Sequence, residues 1–205
     1  VSGRDLRGVV NDIQKAVNEK IQLPEGYHVE YGGQFESEQA ASRTLLLTSL
    51  MSLLVIFLLI YNEFKDVRES GVVMLNLPLA LIGGVFILCL TSGEISIPAI
   101  IGFISLFGIA TRNGMLLISH YTQLRSEGMP LSDAVINGSL DRLNPILMTA
   151  LSSALALIPL AINGDLPGNE IQSPMATVIL GGLLSSTFLN GFIIPIIYLI
   201  MNKEK

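Results

Sequence analysis

Arg112 is the one ionisable side chain set well inside a long apolar run of this sequence, and no Asp or Glu lies within any of those runs. The stretch that carries it, residues 100–121, reads as a membrane-spanning helix. An Arg at the centre of such a helix costs ~2.5–3.5 kcal/mol on insertion scales, so it ordinarily faces a protein interior or a water-filled path. A guanidinium placed there can join a buried charge network that responds to protonation. Residues four and seven positions to either side share its helical face. Those are Ser105, Gly108, Leu116 and Ser119, a small and partly hydroxylated strip in which Gly108 leaves room for the guanidinium or for water. The competing reading is snorkelling, in which the long side chain reaches the interface. Both readings stand on the residues alone, and the hydroxyl-lined face favours the first.

The other candidates carry weaker signals. Thr149 sits early in a later apolar run, after Arg142-Leu143-Asn144-Pro145. A lone Thr in a spanning helix ordinarily bonds its own backbone. His120, about two turns beyond Arg112, reads as an interfacial histidine. The seven Met residues are scattered, as gap-filling thioethers are, and their spacing supports no path for soft metals. Cys89 is the single cysteine, so no intrachain disulfide forms, and no Cys/His spacing suggests zinc. Nothing resembles a catalytic triad, a phosphate loop or paired catalytic carboxylates. The sequence predicts neither an enzyme nor a cofactor.

These residues must be positioned by a membrane bundle. Half of the 205 residues are hydrophobic and only 14% are charged, with a mean hydropathy of +0.60. That balance excludes a soluble domain of this length. The net charge of −5 argues against nucleic acid, which needs clustered Lys and Arg. Five apolar runs, about 44–62, 70–93, 95–124, 143–164 and 174–202, meet or approach the ~20 residues a spanning helix needs. The uncharged stretch that ends in the last run, 171–202, should hold a turn at Gln172-Ser173-Pro174 before its helix begins. Pro78, Gly83-Gly84, Gly102, Gly108, Pro159, Gly181-Gly182, Gly191 and Pro195 fall within the runs, as tight helix packing allows. Between the third and fourth runs, residues 132–143 read as a short cytoplasmic helix with Ser132 as N-cap.

Ahead of the runs, residues 34–43 form a polar helical lead-in and residues 1–33 a small α/β fragment. Leu6, Val9, Val10, Ile13, Val17 and Ile21 recur at helical spacing, Ser2 and Asp5 resemble a capping box, and Leu23-Pro24-Glu25-Gly26 should end the helix. Residues 27–31 alternate as a short strand ended by Gly32-Gly33. One helix and one strand cannot bury a core. With an opening VSGRDL that lacks an initiator Met and a signal peptide, the sequence predicts a piece of a longer protein. Lys65 and Arg68, Arg125 and Arg142, and Lys203 and Lys205 mark the same side of the membrane, so the positive-inside rule puts the N-terminus outside and the tail, 203–205, in the cytoplasm.

The motifs GRDL, LPEGYHVEYGGQFE, FGIATRNGMLL, RLNPILMT and PMATVILGGLLSSTFLNGFIIPIIY together resemble the C-terminal end of a resistance–nodulation–division (RND) transporter, over essentially the whole chain. The GRDL, LPEGY and GGQFE portions look most like the heavy-metal efflux branch, the cobalt–zinc–cadmium and copper–silver exporters. The resemblance implies that the five spans are the eighth to twelfth of twelve, and that residues 1–33 are the tail of a periplasmic porter domain. It implies proton antiport across a bacterial inner membrane, with Arg112, its neighbour Asn113 and Thr149 in the proton relay and Ser105 and Gly108 packing beside it. Arg112 falls where drug-exporting relatives carry a Lys that pairs with fourth-span aspartates. Those carboxylates would belong to the missing N-terminal half. The implied assembly is a homotrimer working with a periplasmic adaptor protein and an outer-membrane channel. In the copper–silver exporters the position of Arg112 is acidic and a Lys sits near Ile146. This chain has neither, so its relay resembles the drug-exporter arrangement. Two rivals remain: an RND exporter of drugs or other amphiphiles, and a non-transporting accessory or sensor protein on the same helix bundle.

Overall fold

The computed structural model describes residues 6–21, 24, 26, 29, 34–91, 95–164, 166, 168–169 and 172–202. Seven helices account for nearly all of the described residues: α1 (Leu6–Lys20), α2 (Gln34–Phe64), α3 (Val67–Met74), α4 (Asn76–Thr91), α5 (Ile97–Ser126), α6 (Leu131–Ile162) and α7 (Gln172–Asn202). Among the described residues, five segments are long and apolar enough to cross a membrane, one of them being α3 and α4 taken together. At about 1.5 Å per residue, the 30 residues of α5 extend about 45 Å, more than the ~30 Å hydrocarbon core.

Several boundaries differ from the sequence expectation. The second apolar run is broken at Leu75, between α3 and α4. Pro78 lies in the first turn of α4, where its missing N–H costs nothing, whereas in an unbroken helix its ring would crowd the carbonyl of Met74 and leave it without a donor. The short helix expected over 132–143 is not separate. It is the start of α6, which runs from Leu131 through Pro145 and Pro159 to Ile162. Ser132 is not its N-cap: that position belongs to Pro130, without a side-chain cap bond. The turn expected at Gln172, Ser173 and Pro174 is instead the first turn of α7, and the turn residues described just ahead of it are Gly168 and Asn169.

No strand occurs among the described residues, so the α/β character expected for residues 1–33 has no support there. Of the expected strand 27–31, Val29 is described and lies outside regular structure; the other four residues, like Ser2 and Asp5, lie outside the described residues. In α1, Ile13 is 47% exposed, so the apolar stripe is not covered there.

The chain divides into two compact units, residues 1–48 and 49–205. The second holds the core, arranged in layers along α3–α7. One end packs Val72, Val73, Leu117, Ile118, Tyr121, Val135, Ile194 and Tyr198 around Ile60. The middle packs Leu77, Ala80, Leu106, Phe107 and Ala110. The other end packs Leu88, Ala99 and Val178. Helix α7 is the hub, touching α3, α4, α5 and α6. Its close approach to α4 depends on small residues: Ser185 Oγ donates to the Leu79 carbonyl at 2.6 Å beside facing Gly83 and Gly181.

Local signals set the ends of α5. Ser96 accepts the Ala99 N–H at 3.4 Å as N-cap, with Pro98 in the first turn. At the far end Gly128 adopts φ +94° and the Met129 N–H reaches back to the Leu124 carbonyl, the left-handed closure that glycine permits.

Candidate functional site

Helix α5 has two different sides. Gly102, Leu106, Ala110, Asn113, Gly114, Leu117 and Tyr121 are buried against the neighbouring helices. Ser105, Gly108, Arg112 and Leu116 form the other side and are exposed. A Cβ on Gly108 would meet nothing within 4 Å, and the Ser105 hydroxyl turns back to the Ile101 carbonyl at 3.0 Å. Arg112 is the sixteenth of the 30 residues of α5, so it stands at mid-helix. Among the described residues its guanidinium has no hydrogen bond or ion pair. The sequence expectation of a common face is what the helix presents, with Ser119 only half-buried at its end.

Thr149 is half-buried on α6, and its hydroxyl donates to the Pro145 carbonyl at 2.8 Å. That is the local backbone bond expected of a lone Thr in an apolar helix. No hydrogen bond joins Thr149 to Arg112 among the described residues. Asn113 does not share the open side. It is 3% exposed, points into the bundle, and its Nδ2 has no partner among the described residues.

Asn113 is one of several such groups. Asn76 of α4 and Asn190 of α7 are 0% and 1% exposed, and both ends of each amide lack a partner among the described residues. Thr111 and Thr187 also hold buried hydroxyls without one. Each unsatisfied buried polar group costs about 1–3 kcal/mol, so the cluster cannot be indifferent packing. Sequence reasoning passed over Asn76 and Asn190, although an Asn within an apolar run was the available signal.

A second polar network ties α5, α6 and α7 together toward the end of α5. His120 Nε2 lies 3.2 Å from Asp141 Oδ2, with the histidine side chain 16% exposed and the carboxylate 62%. Tyr121 shares a short hydrogen bond with Ser139, which donates in turn to the Val135 carbonyl at 2.7 Å. The Tyr121 and Tyr198 rings lie 5.2 Å apart, and Arg125 donates to Asn202 Oδ1 at 3.0 Å. His120 is thus paired with a carboxylate rather than simply interfacial. The partner lies 21 residues away, which helical periodicity alone could not reveal. No group of three or more His, Cys, Asp or Glu side chains that could hold a metal ion occurs among the described residues.

A family model described as the AcrB/AcrD/AcrF family matches residues 1–202. The chain is 42% identical to Protein HelA of Legionella pneumophila, across 100% of this chain and 20% of that protein. It is 38% identical to the cobalt-zinc-cadmium resistance protein CzcA of Cupriavidus metallidurans, across 100% of this chain and 19% of the relative. It is 33% identical to the cation efflux system protein CusA of Escherichia coli K12, across 97% and 20% respectively. Among solved structures, crystal form II of a heavy metal efflux pump superposes with a TM-score of 0.85 at 33% identity, covering 99% of this chain and 20% of that one. The chain therefore spans about one fifth of the length of the relatives it matches.

Proposed function

Because this chain belongs to the AcrB/AcrD/AcrF family of RND transporters, in its heavy-metal efflux branch, we propose that it is the C-terminal membrane part of a proton-driven permease that exports heavy-metal cations. The activity belongs to the whole protein, of which this is about one fifth of the length. Arg112 forms the basic half of a proton relay in which Asn113, on the packed side of α5, and Thr149 of α6 also take part, and Ser105 and Gly108 keep the face around Arg112 narrow. Its acidic half lies on a fourth span in the N-terminal half. Protonating that carboxylate weakens its hold on Arg112 and lets the helices shift. Each charge moved through the membrane potential is worth ~2.3 kcal/mol per 100 mV.

The observation that carries the relay is the open face of Arg112. A permanently charged group at the middle of a membrane helix, uncovered by its own bundle, calls for a partner from elsewhere. Substrate class rests on the relatives, whose names specify cobalt, zinc, cadmium and other cations. The protein sits in the bacterial inner membrane with its N-terminus periplasmic and its C-terminus cytoplasmic. Residues 1–33 belong to a porter domain, residues 34–43 lead into the first span, and residues 44–202 form the membrane region. It works as a homotrimer with a periplasmic adaptor and an outer-membrane channel.

One observation favours a second reading, export of drugs or other amphiphiles: the relay residue is basic, as it is in the drug exporters the sequence resembles. Metal and dye tolerance of a strain lacking the full-length protein separates the two. Restoring that strain with Arg112→Ala at equal expression should leave it as metal-sensitive as the deletion. Full tolerance would sink the relay.

A further inference from the structure

Helices α5 and α7 run parallel and keep one register. A Cβ on Gly102 would touch Val178, a Cβ on Gly182 would overlap Leu106, and the Thr122 and Tyr198 hydroxyls lie 3.3 Å apart, each pair separated by the same 76 residues. That offset sets Asn190 opposite Gly114 and Thr187 level with Thr111. From the other side, the Asn76 amide of α4 packs on Gly114 so closely that a Cβ there would overlap it. Asn113 is the next residue along. The three asparagines, with Thr111 and Thr187, therefore occupy one slab at the middle of the bundle. At ~1.5 Å per residue it is about 5 Å thick.

All five side chains hold a buried polar atom without a partner among the described residues. Polar groups this deep are hydrogen-bonded in nearly every protein, and a dry slab would set several at once against that rule. The chemistry of the slab selects the ligand. Amides and hydroxyls are neutral, no described carboxylate lies at this level, and the permanent charge of Arg112 is one residue from Asn113. A cation is disfavoured there, whereas water both donates and accepts. Thr187 also edges a mainly apolar cavity of about 410 Å3 between α5, α6 and α7, walled chiefly by Leu117, Leu140, Leu143, Leu147, Phe188 and Phe192. The water is assigned to the polar slab rather than to that cavity, and one molecule takes up about 30 Å3.

We propose that Asn76, Asn113 and Asn190, edged by Thr111 and Thr187, form an internal site for ordered water at mid-membrane. The site is on the packed side of α5, and Asn76, Asn190, Thr111 and Thr187 have no assigned part in the relay. Its existence does not depend on Arg112 moving protons.

X-ray hydroxyl-radical footprinting of the full-length protein in lipid nanodiscs, run in 18O-labelled water, tests this directly. Met115, beside Gly114, and Met74, two residues before Asn76, are the reporters. Both are partly buried, and both should take up label in the parent. In Asn190→Leu and Asn76→Leu, each close to isosteric and apolar, the label should fall by about threefold or more as the polar anchors of the water are lost. Unlabelled methionines in the parent overturn the proposal without recourse to any variant, as does labelling that both substitutions leave unchanged. If one variant fails to assemble, the other carries the comparison. Replacing sodium by choline should leave the label unaltered; its loss would assign the site to a cation and refute the water reading.

Discussion

Gly83 of α4 and Gly181 of α7 lie in backbone contact: a Cβ added to either would strike the carbonyl oxygen of the other. Neither helix can yield, because Ser185 is already bonded to the Leu79 carbonyl across the same crossing. Gly181→Leu should therefore pry the two helices apart and destabilise the full-length protein by about 1–3 kcal/mol, the usual cost of overpacking. Gly71→Ala is the control, since a Cβ there meets nothing within 4 Å. Thermal unfolding in detergent should show a clear drop for the first and almost none for the second.

Helix α5 offers a test of charge against geometry at one position. Arg presents a planar five-donor fork that can grip a carboxylate through two bonds, whereas Lys offers only a point charge. Arg112→Lys should therefore keep part of the parent's transport, and Arg112→Gln, polar but uncharged, none. Proton-driven metal uptake into inverted vesicles would rank the three proteins. Equal transport by the Lys and Gln variants would count against a charge role.

The same argument separates two roles of Thr149. Its hydroxyl satisfies only the Pro145 carbonyl, four residues back, and a helix carbonyl does not require that second donor. Thr149→Val should change stability by less than about 0.5 kcal/mol, as substitutions away from special features do. A relay role predicts impaired vesicle transport in Thr149→Val and its recovery in Thr149→Ser. Equal transport in all three would reduce Thr149 to a local backbone bond.

These examples show what was legible in the sequence. The five spans were, because an uninterrupted apolar stretch of about 20 residues has few other uses. Helix limits were less so, since hydropathy marks where lipid ends rather than where the backbone stops coiling. A short helix over 132–143 was expected to end where the fourth run begins, yet α6 passes through that point and through Pro145. Asp141 is exposed at that point, so water can serve the backbone carbonyl that Pro145 leaves without a donor. The break at Leu75 was equally hidden, as its cause, Pro78, sits three residues later. At the candidate site, the open face of Arg112 followed from helical spacing. The convergence of Asn76 and Asn190 on Gly114 did not, because it depends on which helices pack together and in what register.

The network around Tyr121 gives a prediction in which hydroxyl and ring can be separated. Tyr121 is fully buried, its ring leans on Tyr198 at 5.2 Å, and its hydroxyl pairs with Ser139 of α6. Tyr121→Phe keeps the ring and loses one hydrogen bond. It also leaves Ser139 Oγ with its bond to the Val135 carbonyl, so the expected cost is only about 0.5–1.5 kcal/mol. Tyr121→Ala also empties the packed volume against Val135 and Ile194 and should cost about 3–5 kcal/mol. The His120–Asp141 pair beside it, whose carboxylate is exposed, is worth far less, ~0–1 kcal/mol, so Asp141→Asn should barely register. Denaturation of the full-length protein should show the greatest loss for Tyr121→Ala, a smaller one for Tyr121→Phe and the least for Asp141→Asn. If Asp141→Asn proved as damaging as Tyr121→Ala, the polar pair rather than the aromatic core would hold this end of α5, α6 and α7 together.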